Sequence, residues 1–334
     1  MEKATMADVA QEAGVSKSTV SQYLNKRYEY MSEDTRKRIK EAIQELNYQP
    51  NYLARSLKQK RTSTVGIIVA NIMHRLSTEV SRSIEDFFYK HDIHAIVCNA
   101  DNDPVKEKKY IEMLRAKQVD GLIILPTGKN VDLYEAMVKE KYPVVFMDRK
   151  VPGIKAPFVV SNNIEGTESV IQHIIDHGHT KIAIATEPLI ISPRVERHEG
   201  YKKALIKNGI EVNPQYMISS TVEEIKKDLN RLFDSEEPPT AIFAGSDIVF
   251  LEVLQFAKER NLEIGKSIAL AVFDNIPFAH LLDPPVTTVA QAAYAMGRQA
   301  ADLLLRQINK EEIKMEVKTF PTELIIRDST LKIN

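Results

Sequence analysis

Lys17, Ser18, Ser21 and Gln22 crowd into one short stretch near the start of the chain. Lysine and glutamine donate to base edges and phosphates, and serine hydroxyls donate or accept, so such a group is equipped to read a nucleic acid. The spacing places all four on one face of a helix, because residues three and four apart are neighbours there. The elements needed to hold that face are present. Ser16 suits the N-cap, and Val20 with Leu24 gives an inner i, i+4 face. Upstream, Val9, Ala10 and Ala13 form the apolar stripe of an earlier helix. Gly14 between the two permits a tight left-handed turn, and Val15 packs beneath it. Two short helices meeting at a glycine leave the start of the second free to enter a major groove.

Charge is distributed to match. The chain has 334 residues and a net charge of −1, with 45 Lys/Arg against 46 Asp/Glu. Residues 1–61 hold 12 Lys/Arg and 8 Asp/Glu, which leaves 33 against 38 for the remainder. A basic head on an acidic body suits phosphate contact at one end. The length allows two or three domains, and 43% apolar content allows a sizeable core. Cys98 is the sole cysteine, so no intrachain disulfide can form. No apolar run approaches the roughly 20 residues of a membrane span, and no signal-peptide core is evident, so a cytoplasmic location is expected.

The stretch from Thr5 to Asn25, with its Asp-Val-Ala, Ala-Gly-Val-Ser, Thr-Val-Ser and Leu-Asn segments, resembles the headpiece of the LacI family of bacterial transcription regulators. The resemblance implies a helix-turn-helix headpiece over 1–48. Its DNA contacts would come from Thr5, Ser16, Lys17, Ser18, Thr19, Ser21, Gln22 and Asn25. Gln22 stands where many relatives carry arginine, which points to a different half-site. A third helix is expected from Ser32 to Leu46, with Ile39 and Ile43 on its inner face.

A hinge and linker follow over 49–63. Pro50, Asn51, Ala54 and Leu57 match the family's hinge helix, which is too short to be stable alone in water. The resemblance implies that it orders on operator DNA. Leu57 would then wedge between base steps in the minor groove, small Ala54 would admit a partner helix, and Arg55 would meet phosphate.

The body, 64–334, alternates short apolar runs with amphipathic stretches. Strands are expected at 65–70, 95–99, 121–125, 144–147, 158–160, 182–185, 241–244, 269–272 and 323–326. Helices are expected at 79–90, 105–117, 165–177, 196–207, 248–260 and 294–309. Buried β-branched runs separated by helices mean parallel sheets, which bind ligands at the carboxyl ends of their strands. The fold class is therefore α/β, and the family adds a two-lobed, periplasmic-binding-protein-like body. Polar residues just past strand ends are Asn71, His74, Asp148, Arg149, Ser246 with Asp247, and Asp274 with Asn275; Arg194 and Arg197 open the helix after 182–185. Gln291 follows 286–290, which reads as a segment crossing between lobes.

The resemblance assigns effector contacts to Asn71, Asp148, Arg197 (of Arg-x-x-Gly, ending at Gly200) and Asp274. It extends more weakly to Arg149 and Ser246. His74, Arg194 and Gln291 join them by position. Asp274 suits vicinal hydroxyls, whereas arginines suit carboxylate or phosphate. The alternative is that one or two of Arg149, Arg194 and Arg197 pair with Asp148, Glu196 or Glu199 in structural bridges. Leu76 and Ser77 replace an aromatic pair of many relatives, which argues against a purine or an ordinary hexoside. The run around Pro193–Arg197 resembles members of the family that respond to 2-keto-3-deoxygluconate, so an acidic sugar derivative is the expected effector.

No phosphate-binding glycine loop, dinucleotide fingerprint or Gly-x-Ser-x-Gly nucleophile pattern occurs, so no catalytic residue and no cofactor are expected. His177-Gly-His179 lacks neighbouring ligands and resembles a family turn, so no metal is expected. Charge runs such as Glu223-Glu224 and Glu311-Glu312 read as solvated helix faces. After Arg327 no leucine heptad follows, so a homodimer is expected rather than a tetramer. The partners are then double-stranded operator DNA and a small-molecule effector. The alternative is a cytosolic sugar-binding protein without a DNA function, which leaves residues 1–61 unexplained.

Overall fold

The computed structural model describes residues 4–29, 31–49 and 61–331. The chain divides into two compact units, Met1–Thr62 and Ser63–Asn334. In the first, α1 spans Met6–Glu12, α2 Lys17–Leu24 and α3 Glu33–Glu45. Each begins at a hydroxyl N-cap, Thr5, Ser16 and Ser32 respectively, whose oxygen accepts a backbone N–H of the first turn. Val9, Ala10, Ala13, Val20, Met31, Ile39, Ala42 and Tyr48 form the small core. Gly14 has φ +60°, as its turn requires, and Arg38 Nη1 donates to the Ala13 carbonyl at 3.0 Å. That bond closes the end of α1 against α3.

The second unit contains two six-stranded sheets. The first lobe carries β1 Thr64–Val69, β2 His94–Asn99, β3 Gly121–Ile124, β4 Val144–Met147, β5 Phe158–Ser161 and β11 Val317–Phe320, in the order β11-β5-β4-β3-β1-β2. The second carries β6 Ile182–Thr186, β7 Met217–Ser219, β8 Ala241–Ala244, β9 Ala269–Phe273, β10 Thr287–Gln291 and β12 Thr322–Ile325, in the order β12-β10-β9-β8-β6-β7. All pairings are parallel except β10 with β12.

Strand alternation decides the layers. Val65, Ile67 and Val69 of β1 face α4 Arg75–Tyr89 and α11 Ala293–Ile308, whereas Ile68 faces α5 Pro104–Ala116 and α6 Val131–Lys139. In the second lobe, Ala183 and Ala185 face α9 Val222–Phe233 and α10 Asp247–Glu259. Ile182 and Ile184 face α7 Asn163–Asp176 and α8 Ser192–Lys207.

The chain passes between lobes after β5, after β10 and after β11. Residues 286–290, read from sequence as a crossing, instead lie mostly within β10; the crossing follows Gln291. Strands β7 and β11 and helix α6 were not among the expected elements, and α9 was expected only through its solvated Glu223-Glu224 face. β11 is mostly exposed and alternates charge, so it lacks the apolar run that marks its neighbours. Glu311 and Glu312 lie past the end of α11 rather than on a helix face; Arg306 Nε sits 3.2 Å from Glu311 Oε2 and closes the turn.

Close helix packing supports the second lobe. A Cβ on Gly200 of α8 would lie 2.3 Å from the Ile164 carbonyl oxygen of α7, a backbone atom with nowhere to swing. Gly200→Ala should therefore force the two helices apart and destabilise the body by at least about 1–3 kcal/mol. Urea unfolding followed by circular dichroism should show a lower midpoint; an unchanged midpoint would mean that the contact carries no constraint.

Candidate functional site

On the headpiece, Lys17, Ser18 and Gln22 are exposed and Thr19 and Ser21 half-buried along the outer face of α2. The hydroxyl oxygen of Ser16 lies 2.6 Å from Ser18 Oγ and 2.8 Å from Thr19 Oγ1, so three hydroxyls form one cluster at the positive helix start. Thr5 and Asn25 are occupied structurally. Thr5 N–H and hydroxyl donate to Asp8 Oδ2 at 2.7 and 2.8 Å, and Asn25 Nδ2 donates to the Ser21 carbonyl at 2.7 Å. Backbone and hydroxyl bonds from Thr5 hold the Asp8 carboxyl below its ordinary value. Asn51, Ala54, Arg55 and Leu57 lie outside the described residues.

In the body, the carboxyl ends of β1, β3, β4, β6, β8 and β9 converge on a cleft between the lobes. Its lining includes His74, Leu76, Ser77, Leu125, Asp148, Arg149, Glu187, Arg194, Arg197, Ser246, Asp274 and Gln291. Eight of the nine effector residues expected from sequence are in that lining. Asn71 is not: its Oδ1 accepts the Met73 N–H at 2.9 Å, which spends the side chain on its own turn. Asp148 and Asp274 leave their strands with φ +66° and +92°, a left-handed step that aspartate tolerates and that turns the chain sharply at the strand end.

Two ionic clasps join the lobes across this cleft. In one, His74 of the first lobe places Nδ1 2.7 Å from Asp247 Oδ1 and Nε2 3.4 Å from Glu187 Oε1, both on the second lobe. The Arg75 N–H donates to Asp247 Oδ2 at 2.6 Å. In the other, Lys150 Nζ lies 2.8 Å from Glu196 Oε1, and the Lys150 N–H donates to Ser192 Oγ at 2.8 Å. Glu196 in turn accepts from Asn163 Nδ2 at 3.0 Å, and Asn163 Oδ1 accepts from Arg197 Nε at 3.1 Å.

The three arginines are held differently. Arg149 donates to the Pro126 carbonyl and to Asn102 Oδ1, and its Nε lies 3.5 Å from Asp148 Oδ2. Arg194 Nη2 meets Glu187 Oε1 at 2.5 Å, a partner that the sequence reading did not single out; Glu196 and Glu199, expected as alternatives, pair with Lys150 and Lys203. Arg197 stacks with its guanidinium carbon 3.7 Å from the Phe273 ring centre and donates Nη1 to the Gly245 carbonyl at 2.5 Å. Among the described residues no carboxylate forms an ion pair with it.

Asp274 Oδ1 accepts from Gln291 Nε2 at 2.6 Å, and Gln291 Oε1 accepts from Ser161 Oγ at 2.5 Å. Burial pushes the Asp274 carboxyl up to about 6 despite the nearby Arg197. Asp247 was singled out beside Ser246 by its strand-end position though given no effector contact, and Glu187, directly after β6, was not singled out. The same strand-end rule would have found Glu187. His177 and His179 serve their own region, with Nδ1 atoms 2.8 Å from the His173 carbonyl and 3.0 Å from Thr240 Oγ1.

Residues 5–51 match the bacterial regulatory proteins of the lacI family, and residues 171–330 match a periplasmic binding protein-like domain. The chain is 45% identical to the probable HTH-type transcriptional regulator EndR of Paenibacillus polymyxa, over 99% of each chain. The chain belongs to the LacI family. It is also 35% identical to the HTH-type transcriptional regulator KdgR of Bacillus subtilis (strain 168), over 97% of each chain. In fold it is similar to the lac repressor dimer bound to operator and the anti-inducer ONPF, with a TM-score of 0.86 at 24% identity over 99% of this chain and 100% of that one. Membership makes the chain a DNA-binding transcription regulator and not an enzyme. No helix among the described residues is long and apolar enough to cross a membrane.

The first clasp responds to protons. Burial works against a charged His74, but Asp247 and Glu187 override it and raise its pKa from 6.5 to about 9. Burial opposes the Glu187 charge as well, yet His74, Arg194 and Ser246 bring it down to about 2, and Asp247 is also lowered. Both carboxylates thus stay ionised across the window in which His74 titrates. Because the histidine pKa is higher with its partners than without them, the clasp holds fully below about pH 6.5 and is lost as pH rises through 9. Hydrogen exchange of residues 74–79 and 187–191, corrected for intrinsic rates, should show protection falling toward pH 10. His74→Gln should exchange faster and without that step; a parent profile flat in pH would contradict the clasp.

Proposed function

We propose that the protein is a repressor of genes for sugar or sugar-acid breakdown, released or engaged by an acidic sugar derivative bound between the lobes. The observation that carries the ligand class is Arg197. Its guanidinium is stacked, buried and held by a carbonyl and an amide oxygen; Asp274 is near enough to feel its charge, but no described carboxylate forms an ion pair with it. A charged group in that condition favours an anionic ligand, and the planar fork fits a carboxylate. Asp274 and Gln291 beside it suit ring hydroxyls. Arg149 and Arg194 add less weight, since Asp148 and Glu187 already face them. The sequence around Pro193–Arg197 supports 2-keto-3-deoxygluconate as one member of this class.

The open space in the cleft is about 40 Å³, little more than one water's share of liquid volume. A sugar enters only if the lobes part, and different ligands then favour different lobe angles. Such differential affinity is what couples effector to operator. Action as a cytoplasmic homodimer completes the reading. Edge strand β2 exposes Ile96 and Val97, an apolar strand edge that a second copy would cover. On the headpiece, Lys17, Ser18 and Gln22 read base edges, and Arg55 and Leu57 belong to the minor-groove hinge.

Arg197→Ala should weaken an acidic ligand by about 2–5 kcal/mol, because it strands the ligand's carboxylate in a closed cleft. It should also abolish that ligand's effect on operator affinity while operator binding itself survives. Titration calorimetry with 2-keto-3-deoxygluconate, galacturonate and galactose checks this, and tight binding of galactose alone would reject an acidic effector.

Gln22→Ala should relax preference at particular operator positions by roughly 1–3 kcal/mol. A gel-shift series across single-base operator variants would show it. Equal loss on every sequence would place Gln22 on the phosphates instead.

A further inference from the structure

Glu187 follows β6 directly and is 6% exposed, yet its carboxylate lies in the cleft lining. It meets three donors. Arg194 Nη2 and His74 Nε2 approach Oε1 at 2.5 and 3.4 Å, and Ser246 Oγ donates to Oε2 at 2.9 Å. A guanidinium, an imidazole and a hydroxyl converging from both lobes make the donor set with which a protein binds a carboxylate or another oxyanion. The residues after Glu187 form the loop to α8, where Leu189 and Ile190 are exposed, so the segment bearing this carboxylate is not packed into either core.

We propose that Glu187 is a built-in competitor: its carboxylate fills an anion subsite formed by Arg194, His74 and Ser246, and a ligand anion takes that subsite only by displacing it. Competition of this kind weakens anionic ligands selectively and leaves neutral ones unaffected, so Glu187 sets both the threshold and the charge selectivity of the cleft. Opening the lobes weakens the seat of Glu187, because the His74 arm withdraws with the first lobe while Arg194 and Ser246 stay with the second. The exchange of carboxylates therefore belongs to the open form. The inference rests on the cleft being the effector site, but its test needs no sugar.

The test uses inorganic sulfate on the full chain without DNA, followed by thermal shift against sodium chloride at equal ionic strength. Glu187→Gln empties the subsite of charge and should bind sulfate roughly tenfold more tightly than the parent, the scale of one charge-assisted hydrogen bond. Glu187→Asp keeps the charge on a shorter arm and should fall between the two, which preserves the test if the glutamine variant does not fold cooperatively. Adding Arg194→Gln to Glu187→Gln should remove the gain. Sulfate affinity equal to or weaker than the parent's in both single variants would overturn the proposal and leave Glu187 as a residue that merely positions Arg194. Galacturonate separates this from the effector reading. If the variants gain sulfate but neither they nor the parent bind galacturonate, the subsite stands and the acidic-sugar reading falls. If the parent binds galacturonate and no variant gains sulfate, the reverse holds.

Discussion

A charge removed from water needs a partner, and the cleft between the two lobes buries many charges at once. Arg149, Arg194, Arg197, Glu187, Asp247 and Asp274 are all buried there. An isolated buried charge would cost several kcal/mol, so the interior has to be arranged as pairs and chains. Pairing within each lobe does part of this, Arg149 with Asp148 and Arg194 with Glu187, and pairing across the cleft adds to it. His74 satisfies two carboxylates of the opposite lobe, and Lys150 satisfies Glu196, which reaches Arg197 through Asn163. Closure thus completes the pairing of Asp247, Glu187 and Glu196, whereas the arginines are held within their own lobes. Two sites depart from full pairing, Arg197 without an ion pair among the described residues and Asp274 with a raised pKa. Both lie where a ligand would supply what is missing.

The sheets make that arrangement possible. Parallel strands send their carboxyl ends in one direction, so the loops after β4, β6, β8 and β9 deliver their first polar residues to the same space. Since the strands and the helices behind them make most of each core, polar residues at the strand ends are free to be charged. The left-handed steps at Asp148 and Asp274 are local strain at the edge of a rigid scaffold, placed where side-chain direction matters more than backbone ease.

Much of this was legible in the sequence because strands buried on both faces are continuous apolar runs, and the residue after each run is a candidate for the site. Asp148, Ser246 and Asp274 followed from that rule, whereas Arg197 came from the Arg-x-x-Gly pattern in the helix after β6. Asn71 obeys the same rule and yet stays out of the lining, because an asparagine can satisfy its own turn. Glu187 was overlooked although its position is equivalent, since a glutamate next to a proline reads as an ordinary loop. Which arginine would find which carboxylate depended on side chains far apart in the chain, such as His74 and Asp247, and no local pattern encodes that. Strand β11 escaped for a different reason. It lies on the edge of its sheet, and edge exposure removes the apolar signal on which strand detection depends. In the headpiece, the Ser16 and Ser32 caps and the φ of Gly14 were local properties and were readable, whereas Thr5 was read as a DNA contact and caps α1.

The last crossing between lobes is the shortest. Strand β11 ends at Phe320 in one sheet and β12 begins at Thr322 in the other, leaving Pro321 alone between them. A single residue spans at most about 3.6 Å and a proline has one backbone dihedral already fixed, so this tether has almost no slack. The lobes can swivel about it, but they cannot slide apart. With the other two crossings beside Asn162 and Ala292, the body behaves as a hinge with a welded pin: the size of whatever lies in the cleft is converted into an angle and into little else.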